Sequence, residues 1–347
     1  MAYTLVTVTN IVTASDYNNL QAEVAKLLGA GSGNRGYGQT MTSGQVAQSQ
    51  TITAVHMNNL KTDLDKIAMH QTGAVAKTGP TLTGSDAANE VSDLGIVNAG
   101  NVILAGSTSE ATAVTRAFND YQQALENLRL PTTDPFRVAT GQFEVLTAAG
   151  GSNLEVSYST NWNGTISHTI TISFDNSSSQ GVANMRHFFN AGGAFRFNVK
   201  FATTDTSTQP NKGTNWQGML GNTFENGPGT VEFNAITSTH TGSSSTITNF
   251  NKGLWATADE TTGYEIGSSN EEIFRKEGSS TYSANSYKIF ARQSGHQMFF
   301  LVQFNDDNTG NPDEDVQGTL DSKLSLVRPL GSNVQVPVPT INMGTIS

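Results

Sequence analysis

The alternation of apolar residues from Gln142 onward is the feature that most strongly limits the folds open to this chain. Across residues 166–174, Ile, His, Ile, Ile and Phe occupy every second position, and Ser or Thr fills the positions between them. A period of two is typical of β-strands that bury one face. The Asn161–Gly164 segment supplies turn residues between two such runs, as a β-hairpin requires. The second half of the chain therefore predicts antiparallel strands.

The same criteria predict further strands, separated by Gly-rich and Asn-rich turns. They are expected at 143–145, 154–158, 194–201, 230–236, 282–292, 297–305 and 320–327, with a short helix at 180–189. Many short antiparallel strands with polar turns are typical of a sandwich or jelly roll. We therefore expect a mainly β fold, with an antiparallel β-sandwich or jelly-roll C-terminal domain at 137–330. Residues 331–347 are expected to form an extended arm, since Pro337 and Pro339 exclude a central strand but allow the segment to lie along a sheet edge.

Residues 1–72 contain an internal repeat with an offset of 40 residues. The sequence VTASDYNNL at 12–20 matches ITAVHMNNL at 52–60. Each copy predicts a short helix, with Thr13 or Thr53 as its N-cap and Asp16 as the acidic member of a capping box. Gly29 is expected to end the first helix. The N-terminal region is therefore predicted to be a duplicated α-helical arm.

Both predicted helices carry a stripe of apolar side chains. Two helices of about fourteen residues are too short to be stable alone and are expected to leave part of such stripes uncovered. We therefore expect these side chains to lie at an interface with a neighbouring subunit, which makes residues 1–72 an attachment arm. The expected interface residues are Tyr17, Leu20, Val24, Leu27, Met57, Leu60, Leu64 and Ile67.

Residues 73–136 connect the arm to the β-rich region. Their Gly, Thr, Ala and Ser content predicts a linker, with one strand expected at Val102–Ala105. A third helix is expected at about 110–129, where Val114, Phe118 and Tyr121 begin another apolar stripe.

Composition excludes several classes of protein. The net charge is −10, and Lys+Arg 19 against Asp+Glu 29 provides no basic face for nucleic acid. The chain has no cysteine, so disulfides and cysteine-ligated zinc are excluded. The sequence shows neither a signal peptide nor an apolar run long enough for a membrane span, so we expect no membrane partner.

The common catalytic patterns are absent from the sequence. The Gly31–Gly36 segment has the spacing of a dinucleotide fingerprint, but a helix precedes it, and a flexible loop is the better interpretation. The six histidines include no pair at i,i+4 and no HExxH motif. No serine lies in a Gly-x-Ser-x-Gly elbow. We expect a protein that is not an enzyme and has no cofactor.

A polar cluster at residues 305–315 is a weak candidate for calcium binding. Its carboxylates and amides are oxygen ligands of the kind that calcium prefers, and the candidates are Asp306, Asp307, Asn308 and Asp313. The spacing does not fit an EF-hand loop, and a solvated loop between two strands is favoured.

Two further patterns leave carbohydrate chemistry open. Asp259–Glu260 and Glu271–Glu272 are two pairs of adjacent acidic residues. Adjacent residues of a strand point to opposite faces, so neither pair alone forms a glycosidase dyad. Exposed aromatics could stack on sugars, whereas buried ones would belong to the core, which is the commoner case. The aromatics in question are Trp162, Trp216, Trp255 and Tyr264.

Several stretches, covering about half the chain, share motifs with a known class of proteins. They are Ile52–Lys61 with its duplicate, Trp162–Ile172, Arg186–Phe197 and Asn211–Leu220. They resemble virion structural proteins of tailed phages, particularly phages of cyanobacterial and other marine hosts. The string FFNAGG at 188–193 is the most specific part, since its two glycines are expected to turn the chain between a helix and a strand.

The resemblance implies a non-enzymatic structural component of the virion, as a neck, tail or fibre accessory made in the host cytoplasm. Expected partners are other virion proteins and further copies of the chain, in a trimer or ring. The main alternative is a receptor-binding or glycan-binding tail protein. A depolymerase ranks lowest, because the long β-helical repeat usual in such enzymes is absent.

Overall fold

The computed structural model describes most of the chain. The described residues are 12–31, 35–76, 97, 99, 118–128, 138–149, 152–175, 178–206, 211–235, 238–240, 247–248, 254, 266–308 and 315–347. The helices are α1 (Ala14–Leu28), α2 (Ala54–Thr72), α3 (Phe118–Leu128), α4 (Ser178–Asn190) and α5 (Lys212–Leu220). The strands are β1 (Phe143–Leu146), β2 (Ala148–Ala149), β3 (Ser152–Asn153), β4 (Glu155–Tyr158), β5 (Gly164–Ser173), β6 (Ala194–Thr203), β7 (Thr230–Phe233), β8 (Ser238–His240), β9 (Ile247–Thr248), β10 (Glu271–Glu277), β11 (Ser286–Ser294), β12 (Gln297–Asp306), β13 (Gly318–Pro329) and β14 (Thr340–Met343).

The strands form two antiparallel six-stranded sheets and one short ribbon, so the protein is mainly β with a minority of helices. The first sheet has the order β1-β13-β6-β7-β8, and β4 also pairs with β13. The second sheet has the order β14-β5-β12-β11-β10-β9, and β2 pairs with β3 in the ribbon. The prediction of a mainly β, antiparallel fold is confirmed.

The contacts divide the chain into two compact units. Unit 1 comprises residues 1–143, 186–192 and 329–336, and unit 2 comprises residues 144–185, 193–328 and 337–347. Unit 1 contains α1, α2 and α3 and takes in the C-terminal part of α4. Unit 2 contains α5 and nearly all of both sheets.

The helices of unit 1 begin where the sequence predicts. Thr13 is the N-cap of α1, and its hydroxyl accepts from Asp16 N while the Asp16 carboxylate accepts from Thr13 N. Thr53 is the N-cap of α2, where His56 Nδ1 takes the place of the acid and accepts from Thr53 N at 3.0 Å. Gly29 ends α1 as expected. The third helix is described from Phe118 to Leu128, and residues 110–117 lie outside the described residues.

The period-two pattern of β5 is reproduced in its burial. Ile166, His168, Ile170 and Ile172 are buried, and the residues between them are at least partly exposed. Strand β5 pairs with β12 along its whole length, with Ile170 opposite Phe300. The hydrophobic face therefore fixes the register, because a slip by one residue would turn it outward.

Aromatic side chains of both sheets meet in the core of unit 2. Phe195 and Phe197 of β6 contact the ring of Phe300 on β12, with centroids 5.7 and 5.0 Å apart. Trp216 of α5 joins this core, with ring centroids 6.3 Å from Phe304 and 5.8 Å from Trp162. Edge-to-face aromatic pairs of this kind add stabilisation beyond their buried area.

The Gly192–Gly193 turn joins α4 to β6 as the sequence predicts. Helix α4 ends at Asn190, Gly192 has φ of +90°, and β6 begins at Ala194. A positive φ strains residues with a Cβ, so glycine is favoured at position 192.

Among the described residues, no helix has both the length and the hydropathy needed to cross a bilayer.

Candidate functional site

The apolar stripes of α1 and α2 lie inside the chain, which corrects the predicted subunit interface. Leu27 is 5% exposed, and the other seven side chains are fully buried. The reason is that α1 and α2 pack on each other, α3 packs on α2, and connecting segments pack with them. Side chains without accessible surface are not available to a second subunit. The corrected residues are Tyr17, Leu20, Val24, Leu27, Met57, Leu60, Leu64 and Ile67.

The repeat instead encodes a pair of asparagine clamps. Asn18 accepts from Val46 N at 2.7 Å and donates to Val46 O at 2.8 Å. Asn58, at the equivalent position of the second copy, makes the same two bonds with Val97, both at 2.9 Å. Each side-chain amide thus satisfies both backbone hydrogen-bonding groups of one residue that is distant in the chain. The duplicated unit is a helix whose asparagine binds the backbone of that residue, Val46 in the first copy and Val97 in the second.

A buried carboxylate fixes the segment between the two helices. Asp63 of α2 is fully buried, and its oxygens accept from Thr42 N at 2.9 Å and from Ser43 N and Oγ, both at 2.7 Å. Lys66 lies 3.2 Å from the same carboxylate. The corresponding residue in α1, Glu23, pairs with Lys26 and Arg35, so the two copies have diverged here.

Removing either clamp should destabilise unit 1 by a similar amount. We expect Asn18→Ala and Asn58→Ala each to lower the free energy of unfolding by about 2 kcal/mol, because two hydrogen bonds are lost and a peptide group loses its partners. Urea denaturation followed by circular dichroism measures the change. Asn19→Ala is the matched control, since Asn19 is an exposed neighbour on α1, and it should stay within about 0.5 kcal/mol of the parent. Equal losses for Asn18→Ala and Asn19→Ala would contradict the clamp.

A polar cluster in unit 1 joins α4 to the loop after α1. Arg186 Nη2 and His187 Nε2 both donate to Ala30 O, at 2.7 and 2.9 Å. Asn190 Nδ2 donates to Gly36 O at 3.3 Å. We call these three residues the α4 polar triad. The Gly31–Gly36 loop, which the sequence predicts to be flexible, is thus held at both of its described ends.

His70 and Gly38 complete the surroundings of the triad. His70 Nε2 donates to Ala191 O at 2.9 Å, and burial lowers the pKa of His70 to about 4. Burial also lowers the pKa of His187. Gly38 has φ of +72°, and a Cβ there would lie 2.3 Å from His187 Nδ1. The imidazoles are therefore neutral near pH 7, and the backbone at Gly38 approaches the His187 ring too closely for any larger residue at position 38.

The candidate calcium residues do not form a common site in the described part of the chain. Asp306 is buried, and its carboxylate accepts from Lys212 Nζ at 2.8 Å, so an ammonium occupies the place a cation would take. Asn308 Nδ2 donates to Thr281 O, and Asp313 lies outside the described residues. Among the described residues, no group of three or more His, Cys, Asp or Glu side chains could hold a metal ion. Asp306, a weak calcium candidate in the sequence, is thus a member of an internal ion pair.

The described members of the carbohydrate candidates have structural partners. Trp162 is 4% exposed and Trp216 is fully buried, so both belong to the core and neither can stack on a sugar in solution. Glu272 forms two hydrogen bonds with Arg275, and Glu271 accepts from Gly267 N. The remaining candidates, Asp259–Glu260, Trp255 and Tyr264, lie outside the described residues.

A cleft of about 590 Å³ opens in unit 2 between α5 and the segment that follows β10. Asn215 of α5 fixes its wall, donating from Nδ2 to Ser279 O and Ser279 Oγ, both at 3.3 Å. Met219, Pro228 and Tyr282 contribute apolar surface. The sequence does not predict this cleft, because its local patterns indicate neither α5 nor β10 and give no other sign that their residues lie together.

Comparison with protein-family models, with curated proteins and with solved structures gives no match. Function is therefore argued from the chain itself.

Proposed function

We propose that the protein is a non-enzymatic structural component of a tailed-phage particle, as a neck, tail or fibre accessory. One observation carries the proposal. The Arg186–Phe197 stretch, which bears the most specific part of the resemblance to virion proteins, uses its polar side chains on internal backbone carbonyls. Arg186, His187 and Asn190 thus act as architectural groups, as a particle component requires.

The β-rich unit is proposed to be an antiparallel β-sandwich or jelly roll. The contacts of Phe195 and Phe197 with Phe300 support this architecture, because they join the inner faces of two sheets. In the particle this unit faces outward, and unit 1 contacts neighbouring virion proteins.

The assembly surface is proposed to be largely polar. Within the described residues, the large apolar side chains that are exposed are Val55, Phe143, Val145 and Val338, at 39–64%. Phe143 and Val145 share one face of β1, and Val55 and Val338 lie elsewhere in the chain. Four such side chains form no large apolar surface, and interfaces of ordinary composition are about as polar as the rest of a protein surface. Copies of the chain would therefore associate in a trimer or ring through side chains other than the buried stripes.

Particle composition tests the proposal. Phage particles from a host that produces this chain should retain it through a density gradient, at a copy number that is fixed from preparation to preparation. Quantitative peptide mass spectrometry provides the number, and immunogold labelling provides the position on the particle. A phage lacking the gene is the control for the label. Recovery of the chain only in the soluble fraction of the lysate would refute the assignment.

A further inference from the structure

Lys276 lines the cleft in unit 2, and no acid among the described residues pairs with its buried ammonium group. Lys276 is 5% exposed, and its Nζ donates to a neutral acceptor, Pro228 O, at 2.6 Å. In the described part of the chain it forms no ion pair. Burial lowers the pKa of Lys276 to about 8, and no carboxylate raises it again. A buried cation without a counter-charge is costly for a fold that does not use it.

The nearest acid along the strand has another partner. Residues 275 and 277 project from the face of β10 opposite to residue 276, because strand side chains alternate. Glu277 accordingly lies 3.6 Å from Arg275 Nη1. The titratable groups that line the cleft are Lys276, Glu277 and Tyr282, and α5 contributes none. The Glu277 carboxylate is paired with Arg275, so the ammonium group of Lys276 is the charged group of the described lining that has no ionic partner and can receive an anion.

The rest of the lining favours a ligand with several hydroxyl groups. Thr214, Ser279, Ser280 and Thr281 are exposed residues that line the cleft, and each carries a hydroxyl group. Met219 adds apolar surface against which a sugar ring can pack. The volume of about 590 Å³ lies within the usual range of about 300–1,000 Å³ for small-molecule sites.

We propose that this cleft binds an acidic sugar, with its anionic group on Lys276 and its hydroxyls on the Thr and Ser side chains around the cleft. The proposal goes beyond the structural role argued above and does not depend on it. A particle component can present such a site to a surface polysaccharide, and a protein that is no particle component can equally hold it.

Titration of the full-length protein with glucuronate, glucose and acetate tests the proposal, with binding followed by NMR chemical shifts. Glucuronate should bind at millimolar concentrations, and glucose and acetate each at least about tenfold more weakly. The pKa of Lys276, read from its Nζ resonance, should rise from about 8 when glucuronate binds, and binding should weaken as the pH is raised through 8. Equal binding of acetate and glucuronate, or a pKa that does not move, would overturn the proposal.

Three variants locate the site. Lys276→Met should weaken glucuronate binding at least about tenfold, and Lys288→Met, on the neighbouring strand β11, should leave it unchanged. Thr214→Trp changes an exposed residue, so the protein should fold normally, and the indole should block the cleft. Unaltered binding in Lys276→Met or in Thr214→Trp would place the ligand elsewhere and sink the assignment.

Discussion

Replacing Lys212 with methionine should lower the free energy of unfolding by about 3–5 kcal/mol. Lys212 and Asp306 form an ion pair whose side chains are 1% and 0% exposed, with Nζ and Oδ2 2.8 Å apart. Removing the ammonium leaves a carboxylate in the interior without its counter-ion. Burial already raises the pKa of Asp306, and Lys212 opposes that rise. The Asp306 carboxyl of the variant should therefore take up a proton at a higher pH than in the parent.

The double variant separates the loss of a partner from the value of the pair. Lys212→Met with Asp306→Leu removes both charges and fills the space, so it should recover to within about 2 kcal/mol of the parent. Lys323→Met is the surface control. It breaks the pair with Glu225, whose side chain is 46% exposed, and should cost less than about 1 kcal/mol. Urea denaturation at pH 7 gives all three values. Similar losses for Lys212→Met and Lys323→Met would contradict the claim that breaking the buried Lys212–Asp306 pair costs more stability than breaking an exposed pair.

Acidification from pH 7 to pH 4 should destabilise the protein by about 3 kcal/mol for each of two buried histidines. Burial lowers the pKa of both His70 and His168 to about 4, from an ordinary value of 6.5. Between these limits the unfolded chain binds protons that the folded chain does not, so stability falls as the pH falls. The contribution is complete above pH 6.5 and is lost toward pH 4. Each pKa unit corresponds to about 1.4 kcal/mol.

Glutamine variants isolate the two contributions. Glutamine keeps a donor for Ala191 O in His70→Gln and offers both a donor and an acceptor to Ser322 Oγ in His168→Gln, but it does not titrate. Each single variant should lose about 3 kcal/mol of the pH-dependent change, and the two losses report separately because His70 lies in unit 1 and His168 in unit 2. Urea midpoints at pH 7 and pH 4 measure the effect. A pH dependence equal to that of the parent in both variants would contradict the burial argument.

Local sequence signals predicted the elements that depend on local chemistry. The capping residues Thr13 and Thr53 and the terminator Gly29 set the bounds of α1 and α2. The alternation at 166–174 gave β5, and Gly192 gave the turn into β6. In each case the interactions between residues close in sequence are strong enough to specify the backbone conformation.

The missed elements owe their conformation to tertiary contacts. Helix α5 contains two glycines, which lower helix propensity, and it is stabilised by the Asn211 cap and the buried Trp216. Strand β10 has the sequence EEIFRKE, whose charges hide its alternation, and pairing with β11 defines it. Strand β14 follows the prolines of the tail and pairs at the edge of the second sheet with β5.

The site residues follow the same division. The repeat correctly identified the eight stripe residues as apolar and on one face, but it did not reveal what covers them. Helices α1 and α2 cover each other, and α3 and the residues held by Asn18, Asn58 and Asp63 cover the rest. The held residues lie as far as 39 positions away in the chain from the side chain that binds them. Such partners leave no periodic signal. The Asn-Asn-Leu string, shared by both copies, was the one sequence clue to the clamps.

Hydrogen exchange on the isolated full-length protein, at a concentration low enough to keep it monomeric, tests most directly the claim that this chain covers its own helices. With no partner present, amides of α1 and α2 should exchange only when unit 1 unfolds, just as amides of the central strands β5 and β12 should exchange only when unit 2 unfolds. Exchange in α1 and α2 at the rate of unstructured peptide, with protection gained only when copies or particle proteins are added, would contradict the account and restore the stripes as an assembly surface.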